Sequence, residues 1–297
     1  MTPWRPADMP DLTGQTALVT GANSGIGLHA VLGLAEHGAH VLLAARNPER
    51  GEQAVATVKA KVPGAKVDLV QLDLADLTNV RETAKTVLAE HEHLDLLINN
   101  AGEKMVAKRR TTKDGFEAQF GTNHLGHFAL TGLLLPALRP GARIVNITSL
   151  AHKFFPFALD DPQHERRYSA GKSYSNSKLA NMVFTLELVR RLNGTQTTAV
   201  AAHPGFALDP GESLGNPVAD FAIGLIKQDM AGGAMPTLYA ATVPNLPGGT
   251  LIGPGNFLRT KGFPRPEKPS AKAADPRLGR RLWELSEELT DVRYLSS

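Results

Sequence analysis

Short apolar runs of strand length alternate with amphipathic helical stretches along most of this chain, and that alternation restricts the fold more than any other feature. Strand-like runs fall at 15–20, 39–44, 66–72, 94–98, 142–147 and 197–202. Helical periodicity falls between them, at 25–37, 48–62, 76–90, 123–138 and 172–192. The runs are apolar nearly throughout rather than at every second position, as strands covered on both faces must be. Right-handed crossovers then leave few topologies, and a doubly wound parallel α/β sheet is expected, built as one domain over all 297 residues. After Pro204 the pattern loosens, with Pro and Gly frequent to Pro217. Val218, Phe221, Ala222, Leu225 and Ile226 then predict a short amphipathic helix in a substrate flap at 206–232, which is either mobile or docked on the core. Residues 244–269 read as loop, and 275–289 as a closing helix within a tail at 262–297.

The first strand runs directly into Gly21-Ala22-Asn23-Ser24-Gly25-Ile26-Gly27, which opens the first helix. Glycines there let backbone approach a pyrophosphate, whose charge the amides at the helix N-terminus can hold. The spacing is Gly-x-x-x-Gly-x-Gly rather than the commoner Gly-x-Gly-x-x-Gly. At the end of the second strand an acidic residue would bind a ribose 2′-hydroxyl, whereas an arginine accepts a 2′-phosphate. Arg46 stands there, so NADP(H) is expected in preference to NAD.

Tyr174 and Lys178 are four residues apart on a predicted helix, so phenol and ammonium share a face. A cation beside a phenol favours the phenolate and brings proton transfer toward neutral pH, so Lys178 is expected to lower the Tyr174 pKa.

Composition removes several alternatives. With no cysteine, disulfides, thiolate catalysis and Cys-ligated metal centres are excluded. The 32 basic and 29 acidic residues are dispersed apart from clusters such as Lys108-Arg109-Arg110, which leaves no nucleic-acid footprint. Residues 1–11 carry three prolines and no apolar signal core, and no run reaches membrane-span length; a cytoplasmic protein is expected. His124, His127 and His152 lack a supporting carboxylate pattern, and packing rather than metal ligation is expected of them.

As a set, these residues resemble the short-chain dehydrogenase/reductase family, whose fold is Rossmann-like, and its retinol-dehydrogenase-like branch in particular. The resemblance rests on Thr20 to Gly27, Leu72-Asp73-Leu74, Asn99-Asn100-Ala101-Gly102, Thr122-Asn123-His124-Leu125-Gly126-His127-Phe128, Asn146-Ile147-Thr148-Ser149, Tyr174-x-x-x-Lys178 and His203-Pro204-Gly205. It implies that Tyr174 protonates a carbonyl oxygen as NADPH delivers hydride, or acts as the base in reverse. It implies further that Lys178 lowers the tyrosine pKa and binds the nicotinamide ribose, that Ser149 holds the substrate oxygen, and that Asn123 anchors a water in a proton relay. Asp73 and Leu74 would sit at the adenine, and Asn99, Asn100, Ala101, Gly102, Pro204 and Gly205 would line the cofactor cleft. The apolar helix at 123–138 is either buried or faces a partner subunit. By the same likeness, that helix and the one at 172–192 are where a homo-oligomer would form.

Three departures bear on substrate and turnover. Ser149 and Tyr174 stand 25 positions apart, roughly twice the commonest spacing in the resembled family, and the extra segment holds Phe154, Phe155 and Phe157. These aromatics either line a pocket for a bulky apolar substrate or pin the insertion to a small core of its own. Glu103 and Lys104 follow the Asn-Asn-Ala-Gly run where apolar residues are usual, and Asp209 replaces a threonine that contacts the cofactor, with Ser213 a substitute. The expected function is NADP(H)-dependent interconversion of a carbonyl and an alcohol on a fairly large apolar small molecule. The alternatives are a cofactor-binding sensor or scaffold without turnover, and a non-redox isomerase or cyclase.

Overall fold

The computed structural model describes residues 3–208, 226–256 and 258–295. Eight strands form one sheet in the order β3-β2-β1-β4-β5-β6-β7-β8. They are β1 (Thr16–Thr20), β2 (His40–Ala45), β3 (Val67–Gln71), β4 (Leu94–Asn99), β5 (Leu138–Ile147), β6 (Thr198–Ala202), β7 (Leu251–Pro254) and β8 (Pro264–Glu267). Neighbours from β3 through β7 are parallel, and β8 returns antiparallel to β7. The helices are α1 (Gly25–Glu36), α2 (Pro48–Lys61), α3 (Leu77–Glu90), α4 (Ala118–Phe120), α5 (Gly126–Leu134), α6 (Ala170–Arg191), α7 (Met230–Thr242), α8 (Ala271–Ala274) and α9 (Pro276–Thr290).

The near-continuous apolar strands are explained by burial on both faces. Ala17, Val19, Val41 and Leu43 join one core with Val31 and Leu34 of α1 and Leu238 of α7. Leu18, Leu42 and Ala44 point the other way, into a core with Val80 and Ala84 of α3, Phe128 of α5 and Leu188 of α6. Each large side chain buried in this way contributes about 1.5–3 kcal/mol. Strand β1 is flanked by β2 on one side and β4 on the other, so the chain turns to opposite halves of the sheet from there. That reversal opens a crevice at the C-terminal edge, where ligands bind in sheets of this kind.

Several elements differ from expectation. The helix expected at 123–138 starts earlier, as α4, passes through a π-helical segment (Gly121–Leu125) and ends with α5. Pro136 has no amide to continue it, and a 3₁₀ turn (Leu135–Ala137) leads into β5. The region read as loop at 244–269 contains β7 and β8. Helix α7, capped where the Asp229 carboxylate accepts from the Gly232 amide at 2.7 Å, was not anticipated. The flap residues 209–225, with Asp209, Ser213 and most of the expected amphipathic helix, lie outside the described residues.

The apolar helix at 126–134 is buried by its own chain. A Cβ on Gly132 would fall 2.3 Å from the Tyr294 ring, whose hydroxyl donates to the Phe128 carbonyl at 3.1 Å. Trp283 of α9 meets Phe128 edge-on at 5.0 Å. Among the described residues no helix is long and apolar enough to cross a membrane.

Candidate active site

The loops after β1 and β4 are pressed together at the crevice. Gly21 has φ +61°, and a Cβ there would fall 2.7 Å from Ala101 Cα. A Cβ on Gly27 would fall 2.4 Å from the Gly21 carbonyl and 2.6 Å from Asn100 Nδ2, so neither position admits a side chain. The hydroxyl of Thr20, last residue of β1, accepts from the amides of Asn100 and Ala101, both at 2.9 Å. Asn100 Nδ2 donates to the Thr20 carbonyl at 2.8 Å. Ser24 caps α1 by backbone only, with no side-chain cap hydrogen bond. The first amides of that helix therefore receive nothing from their own cap.

Tyr174 and Lys178 lie one turn apart on α6, with Lys178 Nζ 6.0 Å from the Tyr174 ring centre. Ser149, two residues beyond β5, caps a 3₁₀ turn (Leu150–Lys153), where its side chain accepts from the Ala151 amide at 3.3 Å, and it is near enough to Tyr174 to act on the phenol's pKa. Lys178 is buried and donates to the Ile147 carbonyl at 3.2 Å. Asn123, fully buried in the π-helical segment, holds the backbone of Glu103 from both sides: Oδ1 accepts the Glu103 amide at 2.6 Å and Nδ2 donates to its carbonyl at 3.3 Å. Nδ2 also donates to Ser177 Oγ at 3.0 Å. Gly102 joins the two groups, since a Cβ on it would stand 3.3 Å from both Asn123 Oδ1 and Lys178 Nζ. Such π-helical segments recur at functional sites because they re-aim one side chain.

Burial dominates the electrostatics. It holds Lys178 down to about 8 from 10.5, because Nζ is taken from water without a carboxylate partner among the described residues. The Tyr174 phenol is raised above its usual 10 by burial, with Ser149 opposing in part. The lowering expected from Lys178 takes no part in this shift, which burial carries upward. Burial also holds His127 neutral, at about 4, and its ring is fixed by Nδ1 donating to the Asn123 carbonyl at 2.9 Å and Nε2 accepting from Thr20 Oγ1 at 2.8 Å. His124 is lowered to about 3 by burial and then by His127, and meets Ser286 Oγ at 2.9 Å.

The other residues singled out from the sequence are at the same edge. Arg46 follows β2, exposed and without an ion pair among the described residues. Asp73 and Leu74 follow β3, where the Asp73 carboxylate accepts from the Ala75 amide at 2.9 Å. Pro204 and Gly205 follow β6, with Gly205 at φ +68°. Glu103 is not a free carboxylate, since Arg110 Nη2 donates to it at 3.0 Å. Of the insertion aromatics, Phe157 packs on Phe120 at 5.9 Å while Phe154 is 68% exposed.

A family model for the short chain dehydrogenases matches residues 15–210. The chain belongs to the short-chain dehydrogenase/reductase family. Within it the likeness is to the retinol-dehydrogenase branch: identity is 48% to mouse retinol dehydrogenase 11 over 65% of this chain and 62% of that protein. Human retinol dehydrogenase 13 is 38% identical over 95% of this chain and 86% of that protein. The chain thus matches less than two thirds of the length of the first of these relatives. A crystal structure of an uncharacterised protein from Mycobacterium paratuberculosis superposes with a TM-score of 0.84 at 41% identity, covering 99% of both chains.

A short-chain dehydrogenase fold binds a nicotinamide cofactor, and the residues at the crevice fit one. Its glycine turn is closed to side chains at Gly21 and Gly27, the α1 amides lack a side-chain cap, and Lys178 Nζ adjoins the exposed Gly102. Sequence reasoning missed Thr20 and His127 as the links between the glycine turn and Asn123. The signal was the spacing of His127 four residues after Asn123, which on a helix returns a side chain to its carbonyl. It also missed Glu267, which stands 64 residues from its partner His203 and carries no local pattern.

Proposed function

We propose that this chain is an NADP(H)-dependent oxidoreductase that interconverts a carbonyl and an alcohol on a fairly large apolar small molecule. The observation that carries the reading is the convergence of Ser149, Tyr174, Lys178 and Asn123 beside a glycine turn that admits no side chain at Gly21 or Gly27. Arg46 supports the 2′-phosphate form of the cofactor, because it is exposed and uncommitted among the described residues at the end of β2. Met105, Phe154 and Leu159, 63, 68 and 42% exposed on loops of the same edge, support an apolar substrate.

In this reading the nicotinamide, when bound, supplies or accepts the hydride. Ser149 donates to the substrate oxygen and fixes it near the Tyr174 hydroxyl. Tyr174, raised above 10, stays protonated through the neutral range and serves as the acid for reduction. Its proton goes to the oxygen of the former carbonyl, and the phenolate left behind faces Lys178. Lys178, at about 8, carries its proton at neutral pH and gives the phenolate a cation in a site shielded from water. The Glu103–Arg110 pairing removes one motive for a binding-only reading, since the carboxylate is already engaged.

Converting Tyr174→Phe and following NADPH absorbance across a panel of ketones and aldehydes tests the reading. Turnover should fall roughly 100-fold or more while NADPH affinity is retained. Unchanged turnover refutes it.

A further inference from the structure

Glu267, the last residue of β8, buries its carboxylate to 4% exposure. A carboxylate so placed needs cations or donors around it. Three loops of the crevice edge supply them. His203 Nε2, directly after β6, donates to Oε1 at 3.1 Å, and Lys153 Nζ, closing the 3₁₀ turn that Ser149 caps, lies 3.4 Å from Oε2. Arg259 Nε, from the β7–β8 connection, stands 3.8 Å from Oε1. Burial raises the Glu267 pKa, but the hydrogen bond from His203 and the Lys153 and Arg259 charges prevail and hold it below the usual carboxylate range.

The geometry of the His203 ring is fully specified. Its Nδ1 accepts the Gly205 amide at 3.2 Å, so its proton is on Nε2, toward Glu267. Only glycine fits at 205, because φ there is +68° and a Cβ would fall 2.3 Å from the Thr260 carbonyl. That carbonyl also accepts the Phe206 amide at 2.7 Å. Beneath the pair, a Cβ on Gly253 would fall 2.1 Å from His203 Nε2 and 2.3 Å from Glu267 Oε1. The pair occupies space that only glycine leaves. A strand-edge anchor would need none of this orientation, whereas a turn that must present Pro204 and Gly205 at a fixed height would.

We propose that Glu267 is a positioning residue for the nicotinamide half of the crevice, acting through the His203 ring on the Pro204–Gly205 turn. The inference rests on the nicotinamide-dependent reading given above. The two halves of the crevice are separable: Arg46 and Asp73 follow β2 and β3 on one side of β1, while the Pro204–Gly205 turn follows β6 on the other. A ligand reaching only the adenosine half should not sense Glu267.

The test is equilibrium binding of NADPH and of adenosine 2′,5′-bisphosphate to the full chain and to E267A and E267Q. E267A should weaken NADPH roughly tenfold or more, the scale of a lost hydrogen bond to a charged group, and leave the bisphosphate unchanged. E267Q keeps the length and an acceptor for His203 Nε2, and should recover most of the NADPH affinity. If E267Q falls with E267A while bisphosphate binding holds, the proposal stands and the charge rather than the hydrogen bond orients the ring. Unchanged NADPH affinity in E267A overturns the proposal. So does an equal loss of both ligands in both variants, which would make Glu267 a residue of general stability, and so does a wild-type chain that binds the bisphosphate but not NADPH. A wild type that binds NADPH yet reduces no carbonyl sinks the reductase reading alone, since every measurement here is of binding.

Discussion

Lys178 should cost this protein stability, and replacing it should return that stability while ending catalysis. Its Nζ is buried with one carbonyl acceptor, Ile147, at 3.2 Å and with no carboxylate partner among the described residues. The fall of its pKa from 10.5 to about 8 corresponds to about 3 kcal/mol against folding at neutral pH. Lys178→Met keeps the aliphatic volume and removes the ion. It forfeits one hydrogen bond, about 1 kcal/mol, but leaves no orphan, because Asn181 Nδ2 still donates to the Ile147 carbonyl at 3.0 Å. The net expectation is a gain of about 2 kcal/mol at neutral pH, read as a later urea midpoint.

The sign with pH is the sharper check. Because the folded pKa lies below the unfolded one, the unfolded chain holds more protons between about 8 and 10.5, and wild-type stability rises with pH across that window. The methionine variant lacks this contribution, while the remaining groups titrate alike in both chains. The gap between variant and wild type should therefore close as the pH is raised from about 7 to about 9.5. Trp283, 2% exposed in the core, reports the unfolding by fluorescence. A variant no more stable than wild type at neutral pH, or a gap that stays constant with pH, would refute the claim that the ammonium is buried at a cost.

The same balance of burial against local pattern decides how much of the molecule could be read from the sequence. Leu18 and Val19 face opposite cores, so β1 could only be a continuous apolar run, and such runs placed six of the eight strands. Strands β7 and β8 are four residues each and contain Gly253, Pro254, Pro264 and Pro266; pairing at the sheet edge makes them strands, and nothing local does. Helix α7 carries two adjacent glycines and Pro236 in its interior, and its small residues let it approach α1, where a Cβ on Gly33 would stand 2.8 Å from Leu238. Packing there overrides propensity. The Tyr174–Lys178 relation was legible because four residues on a helix fix it. The direction of the tyrosine shift was not, because it depends on how much water the fold removes, and a pair rule holds no information about that.

Two further outcomes follow from residues at either side of β1. Arg46→Asp should leave stability within about 0.5 kcal/mol, as for an exposed side chain with no ion pair among the described residues, and shift the ratio of kcat/KM for NADPH over NADH toward NADH by roughly tenfold or more. An unchanged ratio would deny Arg46 the 2′-phosphate. His127→Ala strips the Asn123 carbonyl and the Thr20 hydroxyl of a buried partner and opens a cavity, at a cost of about 2–4 kcal/mol at neutral pH. That cost should shrink in acid. With its pKa held at about 4 against 6.5 unfolded, His127 contributes its stability above 6.5 and loses it as the pH falls toward 4. At about pH 5 the alanine variant should therefore have recovered about 2 kcal/mol of its deficit. A deficit that is the same at both pH values would mean that the ring is not kept neutral, and that the link from the glycine turn to Asn123 is not made through an unprotonated nitrogen.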